Sequence, residues 1–394
     1  MSAPDVAALL AELERSQPDL ADDARTAVEW LTGGEPLETV TQLDVCEFLW
    51  YTLPLKVGGD HERLAQALGS LLRLGGLERY AALCVAPDTL RILRSYAREG
   101  EEAGTAAYQE ALDATGVLPP DVPELRWSMI MGPEELGAHV ACSAALELSN
   151  IVGEQVEPVA LTRRWLTEPR ADLGGDSWLH RVHGERLNRW VLGRGPARRE
   201  LAQPFEVRLY APVTPQPLPA LRRLLSLAAA EGSLPLRLSP SPDALRLREF
   251  AEQELGAIGR DGARLAITER GRALLGSVEA MWDAVTRLLL ARGEHEFEVP
   301  AREAALMLLA DGVLLSPAQL RERVADVVGG EGWHPTTGLD DVSAPISALV
   351  RQLTALDLAF GDELAIRLTR TGQFAALAAL RAHALRPRKY VNTT

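Results

Sequence analysis

One short segment occurs twice in this chain, 101 positions apart and without a gap. Leu255 to Gly271 reads LGAIGRDGARLAITERG, and Leu356 to Gly372 reads LDLAFGDELAIRLTRTG. In each copy a leucine is followed by a polar turn, an alternating Leu/Ile stretch and the pattern T-x-x-G. Alternation with a period of two is typical of a half-buried strand. Asp and Gly at a chain reversal favour a tight turn. We therefore predict two β-hairpins, each leading into a helix.

The end of each hairpin carries a signal for the start of a helix. Thr268 and Thr369 have hydroxyls that can accept a hydrogen bond from an unpaired amide of the first helical turn. Gly271 and Gly372 follow three residues later, where a strand and a starting helix crowd each other and a Cβ is disfavoured. We predict the threonines as N-caps and the glycines as positions of close backbone approach.

Amphipathic helices flank both predicted hairpins. The segments Ala244 to Leu255 and Ile346 to Leu356 precede them. Apolar residues at helical spacing predict one continuous helix after each hairpin: Leu274, Leu275, Val278, Trp282, Val285 and Leu289 in the first copy, and Phe374, Leu377 and Leu380 in the second. The order helix, hairpin, capped helix resembles the winged-helix superfamily. The ending L-T-x-x-G before a long helix is similar to the wing of MarR-like proteins. This resemblance implies a fold that serves both DNA-reading and protein-docking modules.

The whole chain predicts a mainly α fold with small β-hairpins, in which an N-terminal helical bundle is followed by two winged-helix-like units. Apolar stripes predict an acidic helical bundle over residues 1–123, ending at PPDVP. Residues 124–204 are expected to form a helical connector and an Arg-rich linker. Residues 205–297 form the first predicted winged-helix-like domain and residues 298–394 the second.

Three details of this layout are open to direct test. The connector helix is expected to run from about Pro133 to Ile151, with a stripe formed by Leu136, Val140, Ala144 and Leu148. Frequent Pro, Gly and Arg residues between Glu168 and Pro204 predict a loosely structured join. Alternation in FEVRLYAPV, which begins at Phe205, and in HEFEV, which ends at Val299, predicts two further strands.

Charge and composition restrict the possible functions. The formal net charge is −14; residues 1–125 contribute −13 and residues 126–394 only −1. Nucleic-acid surfaces need clustered basic residues, because phosphate neutralisation supplies most non-specific affinity. No apolar run approaches the roughly 18 residues that a membrane helix requires, and the N-terminus has no basic signal region. Three dispersed cysteines, Cys46, Cys84 and Cys142, are expected to be buried. We therefore expect a cytoplasmic protein that does not associate with membranes.

Common catalytic signatures are absent from the sequence. The two lysines, Lys56 and Lys389, do not form a P-loop G-K-[ST], and there is no H-E-x-x-H, G-x-S-x-G or G-x-G-x-x-G pattern. The pair His180 and His183 is interpreted as surface or packing residues. His139 and Cys142 are interpreted as buried neighbours. We predict no catalytic, cofactor-binding or metal-binding residues and no cofactor.

Two classes of function fit these patterns best. The first is a non-enzymatic regulatory or scaffold protein that uses its winged-helix-like modules for interaction with proteins. The alternative is a DNA-binding transcriptional regulator, and a third hypothesis is an enzyme with an unrecognised active site. Under the DNA-binding alternative the candidate nucleic-acid contacts are Arg222, Arg223, Arg246, Arg248, Arg260, Arg264 and Arg351, together with the linker arginines Arg181, Arg186, Arg189, Arg194, Arg198 and Arg199.

Overall fold

The computed structural model describes residues 5–153, 156–230, 234–235, 242–261, 264–291, 293, 297–330, 340–361 and 364–389. The chain forms two compact units, one of Met1–Val182 with Lys389–Thr394 and the other of His183–Arg388. The described residues are mainly helical and contain two small antiparallel sheets, which confirms the predicted fold class. Within these ranges, no helix is both long enough and apolar enough to cross a bilayer.

The first unit is mainly helical. Its helices are α1 (Val6–Ser16), α2 (Pro18–Thr32), α3 (Gln42–Glu47), α4 (Leu53–Lys56), α5 (His61–Leu74), α6 (Glu78–Cys84), α7 (Pro87–Glu99), α8 (Glu101–Ala114), α9 (Pro133–Val152) and α10 (Pro158–Thr167). A π-helical turn, Phe48–Thr52, joins α3 to α4. Leu13, Leu49, Leu68 and Ile92 belong to one fully buried cluster that draws on α1 to α8. The predicted helical character of the N-terminal region is confirmed.

Helix α9 turns a different face to the core than its apolar stripe predicts. Leu136 and Leu148 are 53% and 58% exposed, whereas Ala138 and Cys142 are buried. The helix is apolar on several sides, so its periodicity does not identify one inner face. Hydrogen bonding decides the orientation of the helix. The carboxylate of buried Glu147 accepts from the backbone amide of Gln42 at 2.7 Å and from Arg79 Nη1 at 2.9 Å. The predicted stripe on α9 is therefore wrong.

The second unit combines helices with two small sheets. Its helices are α11 (Trp178–Leu192), which begins before the unit does, α12 (Pro196–Arg208), α13 (Pro219–Ala230), α14 (Pro242–Glu249), α15 (Glu269–Gly276), α16 (Val278–Leu289), α17 (Glu298–Leu309), α18 (Pro317–Gly329), α19 (Asp340–Ala355) and α20 (Arg370–Ala384). Its strands are β1 (Leu234–Pro235), β2 (Ile258–Asp261), β3 (Arg264–Ile267), β4 (Ala359–Gly361) and β5 (Ile366–Leu368). One hydrophobic cluster extends from Leu187 to Ala384 and includes residues from both hairpins.

The two sheets have the same pattern of pairing. In the first, β3 lies between β2 and β1, with Ile258 opposite Ile267 and Leu234 opposite Leu265. In the second, β5 pairs with β4 on one side, and on its other side Ile366 forms a bridge with Leu315. Leu265 and Ile366 occupy equivalent positions of the repeated segment. Each hairpin is therefore joined on the same side by an earlier part of the chain.

Both additional predicted strands are wrong where the structure describes them. Phe205 to Arg208 belong to α12. Ala202, Phe205 and the C-cap residue Leu209 are buried at helical spacing, while Val207 is 81% exposed. The alternation of Phe205, Val207 and Leu209 was therefore misleading. In HEFEV, Glu298 and Val299 open α17, where Pro300 is tolerated in the first turn. His295 and Glu296 lie outside the described residues.

Two further expectations are corrected by helices. The Arg-rich stretch is not a loose linker, because α11 and α12 occupy most of it. Pro196 does not interrupt a helix there, since it is the first residue of α12. The helix expected after the first hairpin is two helices. Ser277 ends α15 and caps α16, since its hydroxyl accepts from the Ala280 amide at 3.1 Å.

Candidate functional site

The junction between hairpin and helix is built alike in both copies. Thr268 Oγ1 accepts a hydrogen bond from the Gly271 amide, and Thr369 Oγ1 accepts one from the Gly372 amide, each at 3.0 Å. The same hydroxyls donate to the carbonyls of Gly256 at 2.8 Å and Asp357 at 3.2 Å. Each threonine therefore ties the start of its helix to the start of its hairpin.

Glycine is required at the second position of the junction. The amide of Thr268 donates to the Ala257 carbonyl at 3.0 Å, and that of Thr369 donates to the Leu358 carbonyl at 2.9 Å. A Cβ on Gly271 would overlap the Ala257 oxygen, and a Cβ on Gly372 would overlap the Leu358 oxygen. The hydrogen bond fixes the carbonyl, so the backbone cannot move aside without losing it.

An exposed apolar patch lies beside the second hairpin. It consists of Val313, Leu314, Phe360 and Leu364, which are 44%, 62%, 63% and 79% exposed. A groove of about 660 Å³ runs along the hairpin, and Leu314, Phe360 and Arg367 are among the residues that line it. Soluble proteins rarely leave large apolar side chains grouped in water without a function. We call these four residues the apolar patch.

The strand register explains how the patch is assembled. Phe360 pairs with Arg367, and Leu315 bridges to Ile366. By the same antiparallel register, Leu314 lies beside Arg367. Leu314, Arg367 and Phe360 therefore form a row across the outer face of the sheet, since side chains of cross-strand neighbours point to the same side.

Three of the seven candidate nucleic-acid contacts are either paired with an acidic side chain or half-buried. Arg246 Nη1 lies 3.3 Å from Asp243, and Arg260 Nε lies 2.8 Å from Glu252. Arg222, Arg223, Arg260, Arg264 and Arg351 are exposed, whereas Arg248 is half-buried. Among the arginines of the supposed linker, Arg186 and Arg194 are 2% and 8% exposed.

Arg194 belongs to a buried ionic cluster around Glu303 of α17, which is fully buried. Glu303 accepts from Trp190 Nε1 at 2.6 Å, from Arg194 Nε at 3.2 Å and from Arg198 Nη1 at 3.1 Å. His383 Nε2 lies 3.6 Å from the same carboxylate. Helices α11, α12, α17 and α20 thus meet at one buried charge.

The pKa values of this cluster follow from its environment. Burial alone would raise the pKa of Glu303, but Arg194, His383 and Arg198 outweigh burial and hold it below its ordinary value. Burial lowers the pKa of His383 to about 4, although Glu303 opposes that change. A neutral His383 and an ionised Glu303 are therefore the states at neutral pH. Because the carboxylate is enclosed, we assign the cluster a structural role.

The other reactive side chains are also held in inert states. Cys46, Cys84 and Cys142 are free and buried, and burial raises the pKa of each thiol to about 12. His139 is half-buried, stands edge-on to Trp127 with ring centroids 5.0 Å apart, and has a pKa lowered to about 4 by burial. The prediction that the cysteines are buried is confirmed.

The predicted histidine pair has separate polar neighbours. His180 Nδ1 lies 2.7 Å from Asp176, and His183 Nδ1 lies 3.4 Å from Arg381. In the part of the chain that the structure describes, no group of three His, Cys, Asp or Glu side chains is placed to hold a metal ion.

Sequence reasoning did not identify the apolar patch. Phe360 stands where the first copy has Gly259, and Arg367 where it has Ala266. A comparison of the two copies, position by position, would have marked both as departures from the repeat. No family model matches the chain, and neither a curated protein nor a solved structure matches it.

Proposed function

We propose that this protein is a regulatory or scaffold protein that docks other proteins through winged-helix-like modules in its second unit. The order of elements supports the modules. The second copy runs α17, the Leu315 bridge, α18, α19, β4–β5 and α20, and the first runs α13, β1, α14, β2–β3 and α15. The proposal includes a cytoplasmic location, where the three free thiols stay reduced.

The apolar patch is the observation that carries the docking role. Phe360 is an exposed phenylalanine on an edge strand and lines the groove, so it offers a large contact area. Aromatic residues are enriched at the centres of protein interfaces. Leu314, which lies beside Arg367 in the strand register, extends this area across the sheet. The patch contributes nothing to the core, so a role in binding accounts for it best.

Charge and packing favour protein over DNA as the partner. Two of the candidate arginines are paired with acidic side chains. Helix α14 packs against α19, and Gln352 Nε2 donates to Glu254 Oε2 at 3.1 Å. Each helix that would enter a DNA groove is therefore partly covered by the other. The contact between them includes the carboxylate of Glu254, and a negative charge at this place disfavours phosphate binding.

Two measurements on the full-length protein test the proposal. A photoreactive amino acid at position 360 should crosslink to a protein in cells, whereas the same residue at position 259 of the first hairpin should not. The identified protein is then purified, and its binding to wild type and to Phe360→Ser is compared. Fluorescence anisotropy with duplex DNA at low salt is the second measurement. Micromolar DNA binding that weakens steeply with salt and is unaffected by Phe360→Ser would favour the DNA-reading alternative.

A further inference from the structure

We propose that the apolar patch receives an extended segment of a partner protein, which adds as a strand to the outer edge of β4. The inference rests on the proposed docking function and specifies how the partner binds. Strand addition uses backbone hydrogen bonds for affinity and pockets along the edge for side-chain specificity.

In the part of the chain that the structure describes, one edge of β4 is not paired with another strand. The Thr369 amide donates to the Leu358 carbonyl, which fixes the hydrogen-bonding phase of the hairpin. Because bonded pairs alternate along antiparallel strands, the Leu358 carbonyl and the backbone groups of Phe360 face β5. Ala359 and Gly361 direct theirs away from it, and both residues line the groove. Among the described residues no strand pairs with this edge, because Leu315 lies on the far side of β5.

The side chains along the groove define the chemistry of the added strand. A residue placed beside Phe360 on the outer face must be apolar to cover the ring. Arg367 is exposed and lies two strands from the added one, about 10 Å away at the usual strand spacing, within reach of a long acidic side chain. Asp357 is exposed at the base of the hairpin and also lines the groove. The fitting segment is therefore apolar at its centre, with a carboxylate near Arg367 and Lys or Arg near Asp357.

Charge also argues against a second copy of this chain as the occupant. Residues 355–366 of the sequence contain no Lys or Arg, and they include Asp357, Asp362 and Glu363. Pairing of two β4 edges would place two acidic segments side by side with no base on either of the paired strands, which is unfavourable. A different protein with a basic residue at that end fits better.

A random-peptide display library, selected on the full-length protein, tests the inference. We expect selected peptides to alternate apolar residues and to carry the charges described above. Gly361→Pro removes an outward-facing amide, and binding of these peptides should weaken about tenfold or more. Gly361→Ala is the matched control, because its Cβ would lie 3.6 Å from Ile366 Cγ1, an ordinary contact. Selection on Arg367→Glu should exchange the acidic preference for a basic one.

The outcomes separate strand addition from docking. Equal peptide binding by wild type and Gly361→Pro, together with loss in Phe360→Ser, would overturn strand addition and leave docking intact. Selected peptides that bind independently of Phe360 would contradict both. A dimer of the wild type that dissociates in Gly361→Pro would make a second copy the occupant. If Gly361→Pro does not fold, the charge exchange in Arg367→Glu decides, and an unchanged acidic preference overturns the inference.

Discussion

The two hairpins have the same buried junction with the following helix, but they carry different side chains on the outer face of the sheet. At the junction, Thr268 and Thr369 cap the following helices with equivalent hydrogen bonds. Gly271 and Gly372 each lie against a backbone carbonyl of the hairpin. On the outer face of the sheet, Gly259 and Ala266 of the first copy are replaced by Phe360 and Arg367 in the second. Folding restricts the inner face, since a misplaced Cβ there has no room. The outer face is free of this restriction and can differ according to function.

The segments that enter the hairpins show how one junction is reached in two ways. In the first copy the π-helical turn Phe250–Glu254 places the Ala257 amide 2.8 Å from the Ala251 carbonyl. In the second copy α19 stays regular, and the Leu358 amide donates to the Leu353 carbonyl at the same distance. The left-handed residue that follows is Gly256 in one and Asp357 in the other, with φ of 60° and 57°. The junction is preserved although the approach to it differs.

The largest expected effect concerns Glu303 of α17, the helix that precedes the Leu315 bridge to the second hairpin. Helix α13, which precedes β1 of the first sheet, turns Leu221, Leu225 and Ala228 to the core instead. Glu303→Ala should lower the free energy of unfolding by about 3–5 kcal/mol, because it leaves buried Arg194 without its carboxylate. Chemical denaturation measures the change, with the exposed Glu269→Ala as control. A loss below about 1 kcal/mol would show that the cluster does not stabilise this unit.

Substitution of the junction glycines tests whether the two copies are mechanically equivalent. Gly271→Ala and Gly372→Ala should each lower the free energy of unfolding by about 2–4 kcal/mol, because the added Cβ overlaps a hydrogen-bonded carbonyl. Gly276→Ala is the control, since its Cβ would meet nothing within 4 Å and alanine favours the helix. Thermal unfolding of the three variants gives the comparison. A large effect in only one hairpin would break the equivalence.

Acid should weaken the second unit through His383. Its folded pKa is lowered to about 4, so the unfolded chain binds a proton below about pH 6.5 that the folded chain does not bind. Stability is therefore present above that pH and is lost as the pH falls towards 4, by about 3 kcal/mol. The lowered pKa of Glu303 acts in the same direction at still lower pH. Denaturation across this range should show a shallower slope for His383→Gln, and an unchanged slope would contradict the assignment.

Exchanging the residues at the position of positive φ, Gly256 in the first copy and Asp357 in the second, tests the comparison of the two hairpins further. Asp357→Gly should stabilise the protein by about 1 kcal/mol, because glycine adopts positive φ without steric cost. Gly256→Asp should destabilise it by a similar amount. Unfolding midpoints of the two variants, measured side by side, should move in opposite directions. Movement in the same direction would mean that the side chain of Asp357 has a further role.

What the sequence predicts correctly is local, and what it misses depends on tertiary contacts. The T-x-x-G junction is fixed by residues close in the chain, so its repetition at Thr268 and Thr369 was visible in advance. Exposure of Phe360 depends on which face of the small sheet meets the core. The orientation of α9 was missed because buried Glu147 decides it through partners on other helices. The helix around Phe205 was missed because its buried residues fit two periods, and only packing distinguishes them.

The smallest expected change in stability accompanies the largest expected change in binding. Phe360→Ser should alter the free energy of unfolding by no more than about 0.5 kcal/mol, since the ring is mostly in water. Arg264→Ser, on the first hairpin, is the matched surface control. Isothermal titration of the crosslinked partner, once purified, should show binding weakened tenfold or more by Phe360→Ser and unchanged by Arg264→Ser. Equal affinity for both variants, or a loss confined to Arg264→Ser, would contradict the central claim that the second hairpin is the docking surface.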